Sequence, residues 1–87
     1  MALSFPNQSR SYDATRRAVR FWGHDNAMEA SFFVSAEALI RIKPDIQFDE
    51  SGCLTAFDLN RKLIYAVAAK VYDRSKKGSY DLVTADF

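Results

Sequence analysis

Two alternating runs, out of phase with each other, constrain this chain's fold more than any other feature. In RRAVRFWGHD, residues 16–25, Val19 and Phe21 fall on one side, with Arg17 and Gly23 at its rims. Arg16, Ala18, Arg20, Trp22 and His24 fall on the other. In AMEASFFVS, residues 27–35, Met28, Ala30, Phe32 and Val34 stand against Glu29, Ser31 and Phe33. A period of two is that of a strand with one buried face. Between the runs, Asp25-Asn26 tolerates turn conformations. A two-residue turn there pairs His24 with Ala27, Trp22 with Glu29, Phe21 with Ala30 and Val19 with Phe32. Both apolar sets then share a face, and a one-residue slip would split them. The sequence predicts a β-hairpin.

The remaining segments supply layers around it. Leu3 and Phe5 alternate with polar neighbours as a short edge strand, broken at Pro6-Asn7 because proline lacks an amide donor. Asn7 to Ser11 reads as a loop. Ser35 caps a short helix, Glu37 favours its positive end, and Pro44 stops it. Asp45 to Gly52 is a connector. From Gly52 to Ser75 the pattern predicts one long helix, with Leu54, Phe57, Ile64, Val67, Ala68 and Val71 as its apolar stripe. Leu59 and Leu63 widen that stripe. A Thr55–Asp58 capping box would start the helix two or three residues later. Lys70, Arg74, Lys76 and Lys77 crowd its last turn, and Gly78 follows as a C-terminal cap. YDLVTADF, residues 80–87, reads as a strand with apolar residues on both faces, which suits an interior position. The expected architecture is α+β: a two-layer sandwich in which a β-hairpin is followed by a short helix, a long helix and a C-terminal strand in a small, mostly antiparallel sheet. With 87 residues, positions 1–87 form a single domain whose first fifteen residues supply an edge strand and a loop.

Charge and cysteine content narrow the class. Twelve basic and eleven acidic residues leave a net charge of +1, so nothing pulls the whole chain toward nucleic acid or anionic membrane. Cys53 is the one cysteine and has no internal partner for a disulfide. MALSFPNQSR lacks the basic-then-apolar order of a secretory signal. The longest apolar stretch, Leu63 to Val71, is interrupted by Lys70 and falls short of the roughly 20 residues of a spanning helix. A cytoplasmic location with no membrane partner is expected.

The motifs, taken in order, resemble those of a bacterial family of about this length, the domain of unknown function 1488 family. They are FPN at 5–7, YD at 12–13, RRAVRF at 16–21, SAEAL at 35–39, AF at 56–57, NRKLI at 60–64 and VTADF at 83–87. SAEAL and the closing TADF are the most specific. The resemblance implies a small cytoplasmic α+β domain. It carries over no activity and no site residue.

The residues that could do chemistry gather on the hairpin's polar side. Arg16, Arg20, Trp22, Glu29 and Phe33 form the candidate binding surface. Exposed Trp22 and Phe33 would make an apolar patch, and tryptophan and arginine are favoured interface anchors. This suits a homo-oligomer or another protein partner, through the face or a free sheet edge. The bland reading is that the N-terminal segment folds over Trp22. The alternative is single-stranded nucleic acid, with rings stacking on bases and Arg16, Arg20, Arg74, Lys76 and Lys77 meeting phosphates. Against it, Glu29 across from Trp22 would neutralise a neighbouring arginine.

Nothing in the sequence calls for a metal or cofactor. His24 beside Asp25 lacks the further ligands that a metal needs and reads as a turn histidine. Cys53 near a helix start is a candidate nucleophile or thiol sensor, but a cysteine beside Leu54 more often packs in a core. Tyr65 and Tyr72 flank the long helix as a partner-facing strip or as packing. No phosphate loop or nucleophile elbow occurs, and a core this small leaves little room for a concave site. The expectation is a binding module rather than an enzyme, with an active site between subunits left open.

Overall fold

The hairpin forms, with its pairing displaced by two residues from the expected one. In the computed structural model, which describes residues 3–26, 28–74 and 79–87, strands β3 (Ala18–Asp25) and β4 (Met28–Ser35) run antiparallel. Phe21 pairs with Phe32, Val19 with Val34, and the ladder reaches Asp25 opposite Met28. A displacement of two keeps every side chain on its expected face, so the hydrophobic pattern tolerates it. Asp25 is drawn into the strand because its carboxylate accepts a 2.7 Å hydrogen bond from the Tyr72 hydroxyl. The reversal falls instead at Asn26, whose φ of 56° lies in the left-handed region that asparagine tolerates.

The N-terminal arm contributes two strands rather than one. β1 (Leu3–Ser4) and β2 (Ser11–Asp13) both pair antiparallel with β3, at its far and near ends. The strand at 11–13 is unexpected: Ser11 ends the segment read as a loop, and Tyr12 and Asp13 lie just beyond it. The Asp13 carboxylate accepts from the Arg16 amide at 3.1 Å and closes the turn into β3. Arg17 in that turn adopts φ 54°.

Helix α1 (Ala36–Ile42) begins as expected, with the Ser35 hydroxyl accepting from the Ala38 amide at 3.1 Å, and it stops before Pro44. The single long helix is two. α2 (Glu50–Leu59) and α3 (Arg61–Arg74) meet at Asn60, whose amide and side chain donate to the carbonyls of Phe57 and Ala56. Asparagine competes with backbone bonding in this way and breaks the helix, though the apolar stripe continues across it. The start is early rather than late, because the Asp49 carboxylate accepts from the Gly52 amide at 2.8 Å and caps α2. The break also turns Leu59 and Leu63 outward, 65% and 45% exposed, instead of widening the stripe. The cap expected at Gly78 lies outside the described residues.

β5 (Ser79–Leu82) pairs parallel to β4. Strand order is β1-β3-β4-β5, with β2 also on β3, so β5 is an edge strand and not an interior one. The closing residues turn into a short 3₁₀ helix, Thr84–Asp86, where the Asp86 carboxylate accepts from the Val83 amide at 2.9 Å.

All three helices pack on one face of the sheet. Val19, Phe21, Phe32, Val34, Tyr80 and Leu82 meet Leu39, Cys53, Phe57, Ile64 and Ala68 in one core. Its spine is aromatic: Phe21, Phe32 and Tyr80 sit side by side on β3, β4 and β5 at 5.3 and 5.0 Å between ring centres. Each buried Phe stabilises the fold by about 1.5–3 kcal/mol relative to exposure. Ala18 and Phe33 are buried yet stand outside this core, because they lie on the other face of the sheet. No helix among the described residues is long and apolar enough to cross a membrane.

Candidate functional site

Strand pairing arranges the uncovered face in cross-strand rows. One row carries Ser11, Arg20, Phe33 and Asp81, the next Trp22, Ser31 and Ser79, and the next Ser4, His24 and Glu29. Asp13, Ala18 and Ser35 form a row on the other side of Arg20. Paired residues point the same way, so every one of these side chains shares the face.

Arginines and rings interleave there. The Arg16 guanidinium lies over the Phe33 ring at 4.1 Å, and Arg20 lies between Phe33 and Trp22 at 5.5 and 5.1 Å. A guanidinium over a ring is attracted by the ring's negative face. The stack explains why Phe33 is only 7% exposed on a face no helix covers. The expected patch of two exposed aromatics is therefore corrected: Phe33 is roofed by arginines and Trp22 is half-buried. Phe5 of the N-terminal arm does not lie over Trp22. It turns to the opposite face and stacks on Tyr65 at 4.1 Å.

Charge on this face is nearly balanced. Arg16 reaches Asp81 at 3.4 Å and Asp13 at 4.0 Å. His24 and Glu29 approach to 3.5 Å. Glu29 thus faces His24, not Trp22, because of the two-residue displacement; Ser31 takes the place across from Trp22. Arg20 donates to the Ser31 hydroxyl at 3.1 Å, and among the described residues no carboxylate pairs with it. The five sequence-nominated residues are brought onto one face. Asp13 and Asp81 belong with them and were missed, because only the strand order reveals that β2 and β5 flank the hairpin.

The other candidates separate from this face. Arg74 ends α3 in the helix layer and pairs with Asp86 at 3.4 Å, so it does not join Arg16 and Arg20. Lys76 and Lys77 lie outside the described residues. Cys53 is fully buried in the first turn of α2. Burial pushes its thiol pKa up, helped by the negative charges of Asp49 and Glu37, opposite to the lowering expected from the helix dipole. Tyr72 is buried packing and Tyr65 is part-buried under Phe5. Among the described residues no three His, Cys, Asp or Glu side chains converge as metal ligands.

A second polar cluster clasps the N-terminal arm to the helix corner. Arg10 donates two bonds to Asp58, at 3.0 and 2.8 Å. Arg61 donates to Asp58, to the Gln8 carbonyl and to the Tyr65 hydroxyl. The Arg10 guanidinium bound to it is the main cause holding the Asp58 carboxyl below its usual range. Gln8, Ser9, Arg10, Asp58 and Arg61 line an open recess of about 410 Å³, a concavity not expected from so small a core. Their polar groups are largely turned on one another, which is the geometry of a clasp.

The comparisons with known proteins agree with the architecture. The family described as protein of unknown function, DUF1488, matches residues 3–83. The chain belongs to the DUF1488 family. A crystal structure of a DUF1488 protein of unknown function from Shewanella loihica PV-4 is similar, with a TM-score of 0.80. It is 17% identical, and the match covers 93% of this chain and 91% of that one. At that identity the likeness speaks for the fold alone. No curated protein matches the chain. Membership in DUF1488 brings the fold and leaves function to the residues.

Proposed function

We propose that this DUF1488 chain is a small, cytoplasmic, non-catalytic interaction module that self-associates through the uncovered face of its sheet. The observation that carries the reading is the make-up of that face. It bears half-buried Trp22 at its centre, a cation–ring stack beside it, and opposite charges in near balance. Mixed charge around an aromatic anchor suits an isologous protein interface, where each patch meets its own copy. A lone, buried thiol suits a reducing compartment. The ladder of β3 and β4 is about 26 Å long and the sheet about 19 Å across, from the usual strand spacings. That footprint of roughly 500 Å² in projection is small beside the ~800 Å² per partner of a standard interface. The dimer is expected to be weak, with a Kd on the order of micromolar or higher.

One feature favours the nucleic-acid alternative: among the described residues Arg20 has no carboxylate partner, and it lies against Trp22. Against it, phosphate binding draws on uncompensated cations, and here Asp13, Glu29 and Asp81 outnumber Arg16 and Arg20. Sedimentation equilibrium over a concentration series tests the reading. Wild type is expected to dimerise, and Trp22→Ala to weaken association at least tenfold while its fold persists. Protein that stays monomeric to millimolar concentration would overturn the proposal. Trp22 emission that single-stranded oligonucleotides quench saturably at low salt, with recovery at high salt, would transfer the face to nucleic acid.

A further inference from the structure

The face also points to the contact that sets the register of such a dimer. We infer that Arg20 pairs across the interface with Glu29 of the partner subunit; this rests on the self-association proposed above. In a face-to-face two-fold dimer the axis lies in the plane between the sheets, so each row of one copy meets the row mirrored across that axis. Arg20 and Glu29 stand in the rows on either side of Trp22 and Ser31. An axis running along the Trp22–Ser31 row sets the Arg20 row over the partner subunit's His24–Glu29 row, with Arg20 over His24 of the partner subunit and Glu29 of the partner subunit one strand to the side. The remaining lateral offset is one strand spacing, about 4.8 Å, which a long arginine side chain can bridge. The same axis puts Trp22 at the centre, where interface anchors concentrate.

Two further observations select this pair. Arg20 already leans toward the axis row, because its Nη2 donates to Ser31 Oγ at 3.1 Å. Of the carboxylates on the face, Asp13 and Asp81 are engaged by Arg16. Glu29 is half exposed, and its cross-strand neighbour is His24, which is a counter-charge only when protonated. The cation with no carboxylate partner among the described residues and the least engaged carboxylate of the face thus lie in mirror-related rows, one strand apart.

Charge exchange provides the test. Arg20→Glu and Glu29→Arg are each expected to lower self-association at least tenfold, by placing like charges together. The two single variants mixed one to one form a heterodimer in which both contacts are restored. The double variant regains self-association for the same reason. Circular dichroism melts check that each variant stays folded; both side chains are exposed, so the midpoints are expected to hold. If the single variants associate as well as wild type, or neither mixture nor double variant recovers, the pairing is wrong. The self-association reading then still stands if Trp22→Ala dissociates the dimer. A monomeric wild type overturns both.

Discussion

Replacing Gly52 by alanine sets two physical arguments against each other. Helix propensity favours alanine over glycine by about 1 kcal/mol inside a helix, so the sequence alone predicts a gain. The structure predicts a loss. A Cβ on Gly52 would press into the carbonyl oxygen of Gln47, with the Gln47 carbonyl carbon at 2.9 Å and its amide nitrogen at 3.0 Å. These are backbone atoms and cannot rotate aside. Relief requires the 43–47 connector to lift, with part-buried Ile46, or the first turn of α2 to shift. A shift of that turn strains the 2.8 Å bond from the Gly52 amide to Asp49. Losing such a cap costs about 1 kcal/mol and overpacking about 1–3 kcal/mol. Set against the propensity gain, the net loss is about 1–3 kcal/mol. For a domain of this size that lowers the thermal midpoint by about 4–24 °C. A circular dichroism melt of Gly52→Ala against wild type decides it. A midpoint equal to or above wild type would refute the close approach of the connector to α2.

Three further outcomes follow from the same geometry. Asp58→Asn is expected to cost about 0.5–1 kcal/mol at neutral pH, since the clasp is partly exposed and screened. The Asp58 carboxyl titrates below its unfolded value, so this contribution is present above about pH 4 and fades as pH falls through the folded value; urea midpoints of the two proteins should converge in acid. The bond to Asp25 pushes the Tyr72 hydroxyl up to about 12, so its contribution is full below about pH 10 and lost as pH rises toward 12. Tyr72→Phe should lack that part of the alkaline loss, and an unchanged pH profile would count against the bond. The Cys53 thiol should react with an aromatic disulfide reagent only as fast as the fold opens, and prompt labelling of native protein would contradict its burial.

The parts of the fold legible in the sequence are those set by periodicity. Val19, Phe21, Phe32 and Val34 announce one buried face by alternation alone, and Ser35 and Pro44 bracket α1 by capping chemistry and by steric exclusion. Periodicity does not resolve a displacement of two residues, since faces are unchanged by it; Asp25 settled the register through Tyr72, which is 47 positions away. The break at Asn60 escaped the same test, because the stripe from Phe57 to Ile64 stays in phase across it. β2 was hidden because its three residues acquire meaning only beside β3. The candidate site followed the same division. Which side chains share the face was readable from parity. That arginines cover Phe33, and that Asp13 and Asp81 neutralise Arg16, depends on strand order and on the turn at Arg17.

The central claim is that the uncovered face meets its own copy, and a dilution series of amide and indole spectra tests it residue by residue. Nitrogen-15 labelled protein would be recorded from about ten micromolar to about one millimolar, spanning the weak dissociation constant expected for so small an interface. Self-association through this face predicts concentration-dependent shifts at Arg20, the Trp22 indole, Glu29 and Ser31, with Phe21 and Phe32 moving little. Shifts confined to Leu59 and Leu63 on the opposite side, or spectra that do not change with concentration, would contradict it.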